Sequence, residues 1–260
     1  MAETSASRPA STILLLRDGA AREIEVFMMV RHHQIEFNSG ALVFPGGSVD
    51  AGDQKIVKRS ELYSGGEGLS EADRGFRIAA IRETFEESGI LLARSEETGT
   101  PVDAKRAGEI ADAHRVALNE HKISFLDILA DNGLQLALDT LVPYAHWITP
   151  EGMPKRFDTW FYVAHAPLAQ QAICDGHEAV DAEWIAPAKA LELAASGARK
   201  VIFPTRMNLQ LLAESASPAD AVARSAARPL VTVEPWVEGK VLRIPDDAGY
   251  GAVTEPLDAL

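Results

Sequence analysis

Along this chain the spacing of hydrophobic positions switches between two regimes. Residues 12–16 are β-branched and aliphatic and stop at Arg17-Asp18-Gly19, and residues 24–30 form a second apolar run. Short runs bounded by turn residues predict two strands joined by a turn. A third run, residues 41–44, ends in Pro45-Gly46-Gly47, where missing side chains let the backbone bend sharply and come close to a ligand. Residues 50–68 are polar with several glycines, which predicts an inserted excursion carrying one short helix. The period then becomes helical: Ile78, Ile81 and Phe85 recur three and four apart, Ser70 offers an N-cap with Asp73 three residues on, and Gly89 offers a stop. A helix over 71–88 with that stripe facing the core is expected.

Further along, residues 90–92 read as a short strand and 103–121 as an amphipathic, Ala-rich helix. Strands are expected at 141–148, 159–165 and 183–185, and helices at 187–196, 204–214 and 218–227. The last stretch, 228–260, carries Pro229, Pro235, Pro245 and Pro256 and is expected to run extended over the surface. Strands and helices mix without a regular βαβ repeat, so the class is α/β or α+β, with a mixed sheet and helices on both faces. The expected organisation is a disordered N-terminus over 1–11, one domain over 12–215 with insertions near 54–70 and 101–135, and a C-terminal helix and tail over 216–260.

Composition narrows the partners. The 260 residues are 47% hydrophobic, enough for one large core, and the net charge of −13 comes with basic residues scattered singly or in pairs. That field disfavours nucleic-acid backbones and anionic membranes. It also repels phosphates, so an enzyme acting on them here needs a bound cation to offset its carboxylates. Cys174 is alone, so it has no disulfide partner; it suits a reducing compartment and a packing role. With no signal-like apolar run and no stretch near ~20 apolar residues, a cytoplasmic protein is expected.

The chemistry concentrates in Arg82-Glu83-Thr84-Phe85-Glu86-Glu87-Ser88-Gly89-Ile90. On a helix Glu83 and Glu87 lie one turn apart on the same side, away from the Ile81/Phe85 stripe. Arg82 and Glu86 are the next one-turn pair, so an ion pair there would leave Glu83 and Glu87 for a hard cation such as Mg²⁺. Acid triplets of this kind also occur on plainly solvated helix faces. Two features favour the cation: a glycine bend at a strand end, whose bare carbonyl can join a metal shell, and a helix that stops just past the acids.

These residues resemble the signature of the Nudix hydrolase family: Gly, five residues, Glu, seven residues, then Arg-Glu-aliphatic-any-Glu-Glu-any-Gly-aliphatic. The second half matches from Arg82 to Ile90, with Thr84 at the aliphatic position. Gly47 matches the first half, but Asp53 replaces its Glu, and 28 residues separate Asp53 from Arg82. This longer spacing, together with FPGGSVDAGD and FRIAAIRETFEESGILL, is similar to the branch containing the nudix-motif-19 coenzyme A and acyl-coenzyme A diphosphatase. Similarity continues through His146-Trp147-Ile148-Thr149-Pro150, Arg156-Phe157-Asp158-Thr159 and Phe203-Pro204-Thr205-Arg206.

The resemblance implies an α/β/α Nudix sandwich with a mixed sheet and helical insertions, and water attack on a small-molecule nucleotide diphosphate. It implies Glu83 and Glu87 as ligands to Mg²⁺ (Mn²⁺ as the alternative), Glu86 as ligand or outer partner, the Gly46 carbonyl as a further oxygen, and Arg82 orienting a carboxylate. Glu83 and Glu178, on a later loop, are both candidate bases. Arg156, Arg206 and Glu178 are counted as candidate substrate contacts, since guanidinium matches phosphate bidentately. Coenzyme A or acyl-coenzyme A is the first substrate expected, although an Arg that one coenzyme A branch carries before its glycine loop is Glu36 here. An ADP-ribose or NADH pyrophosphatase is the alternative, and a non-catalytic Nudix-fold binding module is an alternative of another class. The chain's last residues, Asp258-Ala259-Leu260, are not a peroxisomal Ser-Lys-Leu address. The two insertions can shape a substrate pocket or a homodimer surface.

Overall fold

The computed structural model describes residues 6–20, 23–31, 40–172 and 179–256; His32, His33, Glu36, Cys174, Glu178 and residues 258–260 lie outside them. Its long strands are β1 (Arg8–Asp18), β2 (Ile24–Arg31), β8 (Val142–Ile148), β9 (Phe157–His165) and β10 (Ala179–Ile185). With the short β11 (Thr232–Val233) they form one sheet in the order β10-β2-β1-β9-β8-β11, on which β3 (Leu42–Val43) adds to β2 and β4 (Gly46–Ser48) to β1. The sheet is mixed: β1 and β9 are parallel, whereas β1 and β2 are antiparallel.

Both faces of this sheet are covered, which explains why β1 and β2 are apolar without interruption instead of alternating. Ile13, Leu15, Phe27 and Met29 point into one core, and Leu14, Leu16, Val26 and Met28 into the other. The first core is closed by α1 (Ala51–Val57), α2 (Glu71–Ser88), α3 (Ala104–Asn119) and α4 (Phe125–Asp131), which supply Ile56, Ile78, Ile81, Phe85, Ile110 and Ile128. The second is closed by α5 (Pro187–Ala195), α6 (Phe203–Leu212) and α7 (Pro218–Ala227), through Ala190, Met207, Leu209, Leu212 and Ala221. This is the mixed sheet with helices on both faces that the sequence pattern predicts, and the α/β/α sandwich that the resemblance implies. Among the described residues no helix is long and apolar enough to cross a membrane.

α2 forms over the expected span. Ser70 accepts from the Asp73 amide at 3.1 Å, and Gly89 ends the helix at φ 76°, its amide donating to the Phe85 carbonyl at 2.9 Å. Ile78, Ile81 and Phe85 are wholly buried, each contributing about 1.5–3 kcal/mol relative to exposure. Thr84 is also buried where an aliphatic residue is usual, and it tolerates this because its hydroxyl donates to the Ala80 carbonyl at 2.8 Å.

Four expectations need correction. β1 starts at Arg8 inside the segment expected to be disordered, because β9 pairs with it from Arg8↔Phe157 onward. Residues 90–92 are buried but not a strand. The Leu91 amide and carbonyl are satisfied by the Gln170 side chain, and the strand follows as β6 (Ala93–Ser95). β6 joins β7 (Leu134–Ala137) and β5 (Tyr63–Ser64) in a second small sheet. α4 and β7 were not anticipated; at seven and four residues they are too short to show a period. The tail, finally, is not merely extended. β12 (Trp236–Glu238), β13 (Val241–Arg243) and β14 (Thr254–Pro256) form a three-stranded sheet, and Leu242, Ile244 and Ala248 are buried in the second core.

Candidate active site

The acid-bearing turns of α2 face the glycine bend. β4 lies antiparallel to β1, with Ala10↔Ser48 and Thr12↔Gly46 in register, so the sheet holds Gly46 and Gly47 against the helix. The Gly46 amide donates to Glu87 at 2.9 Å. A Cβ on Gly47 would fall 2.4 Å from the Glu83 carboxyl carbon, so any side chain here would have to displace that carboxylate. An amide of the bend thus meets one acid, and bare backbone meets the other.

Arg82 ties these pieces together. Its Nε and Nη2 donate to the two oxygens of Asp53 at 2.9 and 3.1 Å, Nη2 also reaches the Ser48 carbonyl at 2.9 Å, and Nη1 reaches Glu83 at 2.9 Å and Glu86 at 3.2 Å. The expected pairing with Glu86 alone, leaving Glu83 apart, is therefore corrected: one guanidinium serves three carboxylates because all three converge on the buried end of its side chain. Asp53 is completely buried, and it also closes a capping box on α1, each of Asp50 and Asp53 accepting the other's amide at 2.8 Å. The 28-residue spacing is thus absorbed by an excursion that starts with α1 and returns Arg82 to Asp53. Burial works against the Arg82 charge, but the Asp53 hydrogen bonds and the surrounding Glu83, Asp53 and Glu86 outweigh it and raise its pKa. Burial pushes the carboxyls of Asp53 and Glu86 up, in each case against the pull of Arg82.

Glu83, Glu86 and Glu87 line one cleft of about 830 Å³, which is also lined by α3 and Ala169–Gln171. The donor set fits a hard divalent cation: oxygen only, partly shielded (Glu83 14% exposed, Glu87 5%), and set beside a cradle that any Cβ at Gly47 would fill. Among the described residues no three His, Cys, Asp or Glu side chains converge as a ready-made ion shell. Ligands beyond the acids would therefore have to come from backbone, water or substrate.

The other sequence candidates lie elsewhere. Arg156 donates to the Thr149 carbonyl at 3.0 Å and to Glu234 at 2.8 Å; Arg206 pairs with Glu255 and stacks over Phe203; neither lines the cleft. Both arginines form ion pairs with the C-terminal segment, which supplies both glutamates. Glu178 lies outside the described residues. Two cleft residues escaped the sequence reading. Arg115 Nε donates to the Glu86 carbonyl at 2.7 Å and its Nη2 to that of Glu87, while Asn119 reaches the Glu86 carbonyl at 3.3 Å. They satisfy the open C-terminal carbonyls of α2 directly behind the acids and place a cation at the negative end of its dipole. The only hint was the shared face of Ala104, Ala111 and Arg115 on α3.

Comparison with known proteins identifies the family. A family model described as the NUDT19 Nudix domain matches residues 66–208, more than half of the chain. The human protein named acyl-coenzyme A diphosphatase NUDT19 is 25% identical over 94% of this chain and 77% of its own length. Its Xenopus laevis counterpart is 25% identical over 65% of this chain and 54% of its own. The putative nudix hydrolase 7 of Caenorhabditis elegans is 31% identical over 75% and 56%. The chain thus spans about half the length of these last two relatives. The crystal structure of a Nudix hydrolase from Alicyclobacillus acidocaldarius superimposes with a TM-score of 0.70 at 27% identity, covering 86% of this chain and 99% of that one. On the match of that family model over more than half of its length, the chain belongs to the Nudix hydrolase family, in the branch of the NUDT19 Nudix domain.

Proposed function

We propose that this protein hydrolyses the diphosphate linkage of a nucleotide derivative, coenzyme A or an acyl-coenzyme A, in a reaction dependent on Mg²⁺ or, in its place, Mn²⁺. The observation that carries this reading is the alignment of Glu83 and Glu87 against the Gly46–Gly47 bend at one end of an 830 Å³ cleft. The names of the relatives support the substrate class.

In this reading Glu83, Glu87 and the Gly46 carbonyl hold the ion, with Glu86 as further ligand or outer partner. Bound there, the ion would supply the charge neutralisation and water activation that substitution at phosphorus requires. Arg82 holds Glu83 and Glu86 in place, and Glu83 accepts the proton of the attacking water, with Glu178 as the other candidate for that role. A P–O bond forms to water, the anhydride P–O bond breaks, and the products are a phosphopantetheine moiety and a 3′,5′-bisphosphorylated adenosine.

The test is a product assay with Mg²⁺ and coenzyme A, acyl-coenzyme A, ADP-ribose and NADH offered separately. Release of phosphopantetheine supports the proposal. Turnover of ADP-ribose or NADH alone would replace it by a nucleoside diphosphate pyrophosphatase, and binding without any product would mark a non-catalytic module. A second expectation concerns the bend: Gly47→Ala drives a methyl into Glu83, so turnover should drop about 10–100-fold, since misplacement near 1 Å carries losses of that order. The thermal midpoint should stay close to the parent's, because the atom struck is the movable end of a side chain. Full activity in that variant would show that the Glu83 position is immaterial.

A further inference from the structure

The cleft continues well past the acids. From Glu83, Glu86 and Glu87 it follows α3 as one cavity as far as Ala104 and Lys105, with Ala169–Gln171 also lining it. Arg115 to Ala104 is eleven residues of helix, about 16 Å at 1.5 Å per residue. Along that length α3 presents Ala111, Gly108, Ala107 and Ala104, which offer no polar side-chain atom, flanked by Lys105 and Asp112, both of them exposed. Gln170, which also lines the cleft, is held in place, its amide engaged by the Leu91 amide and the carbonyls of Leu91 and Val102.

Gly108 is the informative residue. A glycine inside a helix is less stable than an alanine there, so it needs a reason. Packing does not provide one, because a Cβ built at Gly108 meets nothing within 4 Å. Gly108 is an exposed residue on the cleft wall, and what its missing side chain leaves is open space there.

We propose that this length of the cleft seats the uncharged pantetheine–acyl arm of the substrate, running along α3 away from the diphosphate, with Gly108 and Ala111 setting the width open to it. The inference rests on the coenzyme A reading above. A ribose in the same place would turn its hydroxyls toward methyl groups and lose their hydrogen bonds. The bisphosphorylated adenosine half is equally unsuited, because the nearby cations are weakly placed or engaged. Lys105 is largely exposed and 3.7 Å from Glu109, and Arg115 is bound to the carbonyls that end α2.

The test compares the parent with Gly108→Leu, and with Ala111→Leu as a second narrowing of the same wall. Ala113→Leu is the control: it is exposed, outside the cleft, and about 140° round the helix from Gly108. Binding of coenzyme A, decanoyl-coenzyme A and ADP-ribose is measured by calorimetry without divalent ion, and hydrolysis is measured with Mg²⁺. Both narrowing variants should weaken binding of the two coenzyme A compounds and raise their KM about 10-fold or more, with kcat and the ADP-ribose Kd little changed, the pattern of lost uniform binding. Ala113→Leu should match the parent. If the parent cleaves decanoyl-coenzyme A while Gly108→Leu and Ala111→Leu keep its KM within about two-fold, the arm lies elsewhere and the proposed function stands. If the parent neither binds nor cleaves any coenzyme A compound, both fall.

Discussion

Replacing Glu87 by Gln is expected to lower kcat by about 100-fold or more while the protein stays folded, because the exchange removes a charged oxygen ligand and keeps the shape. The structure explains why folding survives. Glu87 accepts the Gly46 amide at 2.9 Å, and the Gln carbonyl oxygen can accept the same bond. The measurement is steady-state hydrolysis of coenzyme A across a Mg²⁺ titration, with thermal unfolding of parent and variant alongside. Loss of turnover with an unchanged midpoint assigns Glu87 to the chemistry. Activity within a few-fold of the parent at low Mg²⁺ would remove Glu87 from the ion site and leave it a mere partner of the Gly46 amide.

Asp53→Ala should produce the largest loss of stability, about 3–5 kcal/mol, the usual result of stripping one partner from a buried ion pair. Two effects add here. Arg82, only 8% exposed, would lose both bonds to a carboxylate that is itself completely buried, and the Asp50 amide at the start of α1 would lose its acceptor. For a chain of this size that is a fall in the thermal midpoint of roughly 10 °C. Denaturant unfolding followed by circular dichroism measures it. A loss below about 1 kcal/mol would mean that Glu83 and Glu86 alone satisfy Arg82, and that the excursion between Asp53 and Arg82 has no hold on the acid-bearing helix.

The two experiments probe different parts of one assembly. Glu87 bears on what the site does, whereas Asp53 bears on what keeps Arg82, and through it Glu83 and Glu86, in position. Gly47→Ala falls between them, since it displaces Glu83, one of the carboxylates on Arg82, and leaves the Asp53–Arg82 pair in place.

Much of this protein is readable from its residues in order. α2 could be placed from end to end because each of its signals is local: a serine cap, an apolar stripe at helical spacing and a glycine that takes the left-handed conformation. The alignment of Glu83 with Glu87 follows from 3.6 residues per turn and nothing else. The long apolar strands were legible for a similar reason, since only a sheet covered on both faces makes such runs unbroken.

What required the folded molecule is whatever depends on partners distant in sequence. The Asp53–Arg82 bridge spans 29 positions, so spacing alone left Asp53 as a departure from the family pattern and gave no sign that it meets Arg82. Residues 90–92 carry the composition of a strand, yet the amide of Gln170 takes the place of a neighbouring strand. Arg156 and Arg206 have the chemistry to bind phosphate, but the C-terminal segment folds back and offers Glu234 and Glu255 first. Local periodicity determined the elements and the face each presents. Tertiary contact decided which charges meet, because an ion pair forms with whichever group packing brings within about 3 Å, and the order of residues along the chain does not specify that group.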